Sequence, residues 1–160
     1  MSVLDDVVES YFRLLDMLDW NDENVLIGLR EGLNKFPSNL FLKLSGKNKY
    51  FLGDYYSADA LEKINKRDFS GLIFEHMVPK QQYIQTPCEE LARTGRLNEE
   101  SVRAFFVKYW KIAVITSSEN KLLIGHSMPA DWDGVDIKCR YKKASIELYA
   151  HDEKLFVDKK

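Results

Sequence analysis

Gly71-Leu72-Ile73-Phe74-Glu75-His76-Met77-Val78-Pro79 is the stretch on which the reading of this chain turns. Leu72, Ile73 and Phe74 are branched or aromatic, follow a glycine and read as a buried strand. Glu75 and His76 stand at the end of that strand and Pro79 stops it, because proline restricts the residue before it and cannot donate to a ladder. Neighbouring strand residues point to opposite faces, so these two polar side chains share a site only if the chain turns between them. Pro79 predicts such a turn.

Outward from this stretch, Lys111 to Thr116 (KIAVIT) is a second apolar strand, and the alternation in Ile146-Glu147-Leu148-Tyr149 predicts a third near 145–150. Helical spacing dominates the N-terminal part. Leu4, Val7, Val8, Tyr11, Phe12, Leu15 and Leu18 recur at three and four residues, with Ser2 and Asp5 as a capping pair. Asn21 is the expected cap of a second helix over 22–35, which Phe36-Pro37-Ser38-Asn39 ends; the dense apolar run Leu40–Leu44 then reads as a strand or as a helix turn ending at Gly46, with strand preferred. Ser57 caps a short helix to Ile64. Thr86-Pro87-Cys88-Glu89 has an N-cap, a proline at the first helical position and a glutamate at the third. Asn98 caps the next helix, and Thr116-Ser117-Ser118-Glu119 is again a capping box. The sum is an α+β fold: one domain over 1–150, helical at its N-terminus, with a small mixed or antiparallel sheet and helices on one face, followed by a frayed tail over 151–160.

Composition narrows the function classes. The chain has 160 residues and two cysteines, Cys88 and Cys139, far apart and in no CxxC pair, which suits a reducing compartment and argues against a thiolate zinc site. No apolar run reaches the roughly 18 residues of a membrane span, and the acidic start is unlike a signal peptide, so a soluble cytoplasmic protein is expected. Neither a Walker A loop, a dinucleotide fingerprint nor a nucleophile elbow occurs. Residues 1–24 hold seven carboxylates (Asp5, Asp6, Glu9, Asp16, Asp19, Asp22, Glu23) against Arg13, a local charge of −6 that leaves +4 for the rest of a chain of net charge −2. The acidic segment reads as a solvated helical face or as a surface that docks a basic protein partner.

The five residues Glu75-His76-Met77-Val78-Pro79 resemble the first half of the HNH, or ββα-metal, nuclease motif, in which a strand ends in an acidic residue and histidine followed by an apolar residue, a variable one and proline; glutamate stands here where aspartate is commoner. The resemblance implies a divalent cation, Mg²⁺ or Mn²⁺, at a scissile phosphate. His76 would be the general base, Glu75 a metal ligand, and Asn120 or Glu119 the remaining ligand. Lys138, Arg140, Lys142 and Lys143, the densest positive charge in the chain, would hold the phosphate backbone of a nucleic acid. The chain departs from the family in the long gap between Pro79 and Asn120, in the absence of a second helical histidine at the usual spacing, and in a Glu119 already explained by its cap. His126 is the other candidate for the missing ligand.

Each feature has a plainer reading. Glu75 and His76 at a strand end can bond each other or backbone. The aromatic run Tyr50 to Tyr56, interleaved with Lys47, Lys49, Lys63, Lys66 and Arg67, is either a stacking surface for single-stranded nucleic acid or core. Cys88 in a capped first turn would gain thiolate character without being part of any nucleophile motif. Two functions therefore stand side by side: a small HNH-like nuclease, and a non-catalytic bacterial or phage interaction protein, such as an inhibitor or immunity protein, whose acidic surface occupies a nucleic-acid-binding partner.

Overall fold

The computed structural model describes residues 1–123 and 125–156. In chain order the elements are α1 (Val3–Met17), α2 (Glu23–Ser45), β1 (Tyr55–Ser57), α3 (Ala58–Asn65), β2 (Leu72–His76), α4 (Thr86–Arg93), α5 (Glu99–Tyr109), β3 (Ile112–Thr116), α6 (Ser117–Asn120), α7 (Cys139–Lys143) and β4 (Leu148–Ala150). The architecture is α+β, as the patterns predict, and the sheet is mixed. Contacts group the chain into two compact units, Met1–Lys47 with Lys80–Trp110 and Asn48–Pro79 with Lys111–Lys160. No helix among the described residues is long and apolar enough to cross a membrane.

The first unit is helical. The α1 stripe Val7, Val8, Tyr11 and Leu15 is buried and shares one core with Leu33 of α2, Ile84, Cys88 of α4, and Val102 and Phe106 of α5. The Ser2–Asp5 capping box forms as expected, and Asp5 also pairs with Arg103 of α5. Two helix boundaries differ from expectation. Asp22, one residue beyond Asn21, caps α2 by accepting the Val25 N–H at 3.1 Å. Helix α2 then runs through Pro37 to Ser45, so Leu40–Leu44 is helix and not strand.

A proline removes the N–H that the carbonyl four residues earlier would accept. Here that carbonyl, on Leu33, accepts the Gln85 Nε2 at 2.9 Å, and the neighbouring Asn34 carbonyl accepts the Lys80 Nζ at 2.5 Å. Gln85 is wholly buried and its Oε1 accepts from Lys80 at 2.8 Å, so the freed backbone is satisfied by side chains from another part of the chain. Gln85 reaches this position from a π-helical turn, Gln81–Gln85, that leads directly into α4. Thr86 has helical dihedrals (φ −58, ψ −46) and donates its N–H to Gln81, so it continues a helix instead of capping one. The widened turn sits where Pro87 has no N–H to give.

The second unit is built on a sheet in the order β2-β3-β1-β4. Strands β1 and β3 are parallel (Tyr55↔Ala113, Tyr56↔Val114), while β2 and β4 are antiparallel to their neighbours. Ile112 to Ile115 of β3 are all buried, so both faces of the sheet need cover. Ala60 and Ile64 of α3 pack with Tyr56, Leu72 and Val114 on one face, and Tyr141 of α7 packs with Ala113 and Ile115 on the other; helices therefore lie on both faces and not on one. Strand β1 falls in the aromatic run and escaped the sequence reading because Gly53 breaks its pattern. A Cβ on Gly53 would meet Val114 Cγ2 at 2.9 Å. His151 to Phe156 are ordered by packing: His151 donates its N–H to Asp54 at 2.8 Å and Phe156 is buried against Tyr56 and Phe51. Residues 157–160 of the expected tail lie outside the described residues.

Two outcomes follow for the first unit. Gln85→Leu leaves the Leu33 carbonyl and the Lys80 ammonium short of buried partners and is expected to cost about 2–3 kcal/mol. The cost should fall by about 1 kcal/mol in a Pro37→Ala background, where residue 37 again offers Leu33 an N–H. Urea unfolding of the four proteins measures the coupling, and equal costs in both backgrounds would show that none exists. Asp5 is held down to about 2, chiefly by the Ser2 N–H and then by the Ser2 hydroxyl. A carboxyl depressed in the folded state contributes stability that is complete above its unfolded value of about 3.9 and lost as pH falls through the folded one. The stability difference between wild type and Asp5→Asn should therefore disappear as pH falls from about 4 to about 2, read by urea unfolding at each pH.

Candidate functional site

Strand β2 does not turn between Glu75 and His76. The ladder with β3 continues through Glu75↔Ala113 and His76↔Ile112, and Met77 donates its N–H to Lys111 at 2.9 Å. The two side chains consequently leave the sheet on opposite faces. Glu75 shares its face with Ile73, Ala113 and Tyr141, whereas His76 shares the other with Phe74, whose ring centroid lies 6.3 Å away.

On the Glu75 face the structure places Arg140, whose side chain is 3% exposed. Its Nη1 donates to Glu75 Oε1 at 3.2 Å and to the Met77 carbonyl at 3.4 Å, and Nη2 donates to the Gly125 carbonyl at 3.1 Å. A buried guanidinium needs a counter-charge and acceptors, and these groups supply them to Nη1 and Nη2, while the buried Nε has no hydrogen-bond partner. Glu75 is thus the partner of Arg140, and Arg140 is unavailable to a phosphate. Burial, reinforced by the Glu75 carboxylate, pushes the neighbouring Tyr141 phenol upward.

The other expected metal ligands lie elsewhere. Thr116 pairs with Leu72, so α6 begins at the far end of the ladder from Glu75, three residues or roughly 10 Å along it. Glu119 Oε2 accepts from the Thr116 N–H (2.8 Å), the Thr116 hydroxyl (3.1 Å) and the buried Ser57 hydroxyl (2.7 Å). It holds the ends of the parallel strands β1 and β3 together. Asn120 is the last residue of α6, and His126 is exposed. No group of three or more His, Cys, Asp or Glu side chains among the described residues is arranged to hold a metal ion.

The basic cluster is similarly divided. Lys142 pairs with Asp136 at 2.7 Å, Lys143 with Asp131 at 2.7 Å, and Lys138 lies over the Tyr55 ring at 4.5 Å. Tyr50 and Phe51 pack on Phe69, and Phe51 and Tyr56 on Phe156, so these rings are engaged within the fold. Cys88 is fully buried, and burial followed by the nearby Glu89 charge pushes its thiol up to about 12, the reverse of an activated nucleophile.

The acidic segment behaves differently. Asp5 pairs with Arg103, Glu9 with Arg13 and Glu23 with Arg93, while Asp22 caps α2. Asp16 and Asp19 have no ion pair among the described residues and line a groove of about 390 Å³ with Leu15, Trp20, Arg93 and Leu97. The Asp19 carboxylate accepts the Asn21 N–H at 3.0 Å. The indole N–H of Trp20 donates to the Leu15 carbonyl at 2.8 Å, which fixes that ring at the end of α1. Sequence reading saw the charge but not the groove. Its available signal was two aspartates at the carboxyl end of a helix with no basic residue in its last turn, an arrangement the helix dipole opposes.

Breaking the buried pair tests its structural role. Arg140→Met, which strands Glu75, is expected to cost about 3 kcal/mol or more, and Glu75→Leu with Arg140→Met together much less than the single change, since a pair replaced by apolar groups leaves no buried charge. Thermal unfolding of wild type and the two variants measures this, and a single-variant cost near zero would show the pair to be idle. Comparisons of the chain with protein-family models, curated proteins and solved structures found no match, so function is argued from this geometry.

Proposed function

We propose that this chain is a non-catalytic interaction protein that offers an acidic helical surface to a basic protein partner. The observation that carries the reading is the fate of its charges. The positive cluster at 138–143 is neutralised by Asp131, Asp136 and Glu75 or lies over a ring, whereas Asp16 and Asp19, which line a groove with Arg93, have no ion pair among the described residues. Charge left unpaired on a folded surface attracts the opposite charge and steers association. An inhibitor or immunity protein that occupies a nucleic-acid-binding partner has this character, and cysteines without a disulfide fit a reducing, cytoplasmic compartment.

A metal-dependent HNH-like nuclease is the second reading, supported by the match over Glu75-His76-Met77-Val78-Pro79. In it His76 is the base, and Glu75 with Glu119 or Asn120 holds Mg²⁺ or Mn²⁺ beside a nucleic acid. The opposed faces of Glu75 and His76 and the ladder length between Glu75 and α6 favour the interaction reading over it.

Incubation of wild type and His76→Ala with supercoiled plasmid, single-stranded DNA and RNA, in Mg²⁺, Mn²⁺ or chelator, separates the two. No metal-dependent cleavage is expected from either protein. Chelator-sensitive cleavage by wild type that His76→Ala abolishes would replace the interaction reading with the nuclease.

A further inference from the structure

Independently of what its acidic surface binds, we propose that this chain pairs with a second copy of itself along the outer edge of β4, the two strands running antiparallel about a two-fold axis at Tyr149. Strand β4 ends the sheet, with β1 on one side and no strand on the other among the described residues. His151 donates its N–H to the Asp54 carbonyl at 2.8 Å, so His151 and Tyr149 turn their backbone groups toward β1 while Leu148 and Ala150 turn theirs outward. The opposite edge of the sheet is partly closed, since the Leu72 carbonyl of β2 accepts the Tyr50 hydroxyl at 3.1 Å. Glu147, Tyr149 and Ala150 on the β4 side are exposed, and no lysine or proline, the residues that commonly guard an edge, occurs from Ser145 to Asp152.

The sequence along this edge is complementary to itself. Ile146 and Leu148 pack with Ala113 and Ile115, which leaves Glu147, Tyr149 and His151 on the other face of the strand. Antiparallel pairing centred on Tyr149 sets Leu148 against Ala150 of the second copy, each exchanging both N–H···O bonds, and sets Tyr149 against itself at a close, non-hydrogen-bonded position. Glu147 then lies opposite His151 at both ends of the seam, a carboxylate against an imidazole already fixed by the Gly53 carbonyl at 3.0 Å and Glu153 at 3.3 Å. Centring the pair on Leu148 sets Glu147 against Tyr149 instead, and centring it on Ala150 sets Leu148 against Asp152, so side-chain complementarity selects the Tyr149 register. A seam made of the same patch twice closes at a dimer.

Sedimentation equilibrium of the full chain over a range of concentrations tests this. Wild type is expected to move from the 18.7 kDa monomer toward twice that mass as concentration rises. Tyr149→Lys, which brings two ammonium groups together at the axis, and Glu147→Lys should each weaken the dimer about tenfold or more, while Glu90→Lys, a matched charge change at an exposed position of α4, stays within about twofold. In a Cys139→Ser background, Tyr149→Cys should form an intermolecular disulfide on mild oxidation much faster than Glu90→Cys, because Cα atoms of a non-hydrogen-bonded pair lie about 4.5 Å apart, within disulfide reach. A wild type that is monomeric at every concentration overturns the second copy as the occupant, and a strand of another protein would then be the remaining candidate for the edge. A dimer that the β4 variants leave intact, or that Glu90→Lys weakens equally, overturns β4 as the seam. Cross-linking no faster at position 149 than at position 90 overturns the register.

Discussion

A proline at position 37 sits inside a 23-residue helix, and the helical unit depends on how its missing hydrogen bond is replaced. An unsatisfied carbonyl in an apolar core costs as much as a lost hydrogen bond, so α2 could not pass through Pro37 unless a donor arrived from elsewhere. Gln85 is that donor, and its reach to Leu33 depends on the π-helical turn that precedes α4. The two irregularities are thus one feature: a helix lacking an N–H, and a turn with an extra residue that brings an amide to the vacancy. Lys80, satisfied by both Asn34 and Gln85, ties them together although burial pushes its ammonium downward. The apolar residues of α1 then have a continuous helix to pack against.

The sheet unit solves a different problem. A strand apolar on both faces must be covered twice, and the second face is covered by a five-residue helix, α7. Tyr141 of that helix supplies apolar bulk, but its neighbour Arg140 is drawn in with it. Glu75, one residue from the end of the ladder on the same face, neutralises the guanidinium, and the carbonyls of Met77 and Gly125 accept from its two terminal nitrogens. What looks in sequence like an acidic residue and a distant base waiting for a substrate is, in the fold, a pair of groups satisfying each other.

The limits of the sequence reading follow from these details. Strands β2 and β3, the α1 stripe, and the caps at Ser2, Ser57, Asn98 and Thr116 were legible because each depends on local periodicity or on a residue three positions away. The end of α2 was misplaced because proline is a local stop signal and Gln85, 52 residues from Leu33, is not local. Thr86 fits a cap in sequence, although its backbone is already helical. At the candidate site, the residue types are visible in the sequence and their partnerships are not. Which face Glu75 takes depends on whether the ladder continues past it, and that is decided by Lys111 on the opposite strand.

Charge is where this distinction matters most for function. A count over a segment treats every ionised group as available, yet folding pairs most of them, and exposed pairs hold little free energy while still cancelling the field at a distance. Lys142 and Lys143 are cancelled by aspartates from the loop before α7, so the most basic stretch of sequence is not the most basic surface. Four of the seven N-terminal carboxylates are absorbed by arginines or by a cap. The field that remains comes from the few groups the fold leaves unanswered. Asp16 and Asp19 stand where the backbone dipole already points the same way, so their potentials add instead of cancelling. At the end of α1 the two aspartates and the terminal carbonyls of the helix therefore contribute potential of one sign, whereas the carboxylate of Glu75 is paired with the buried Arg140.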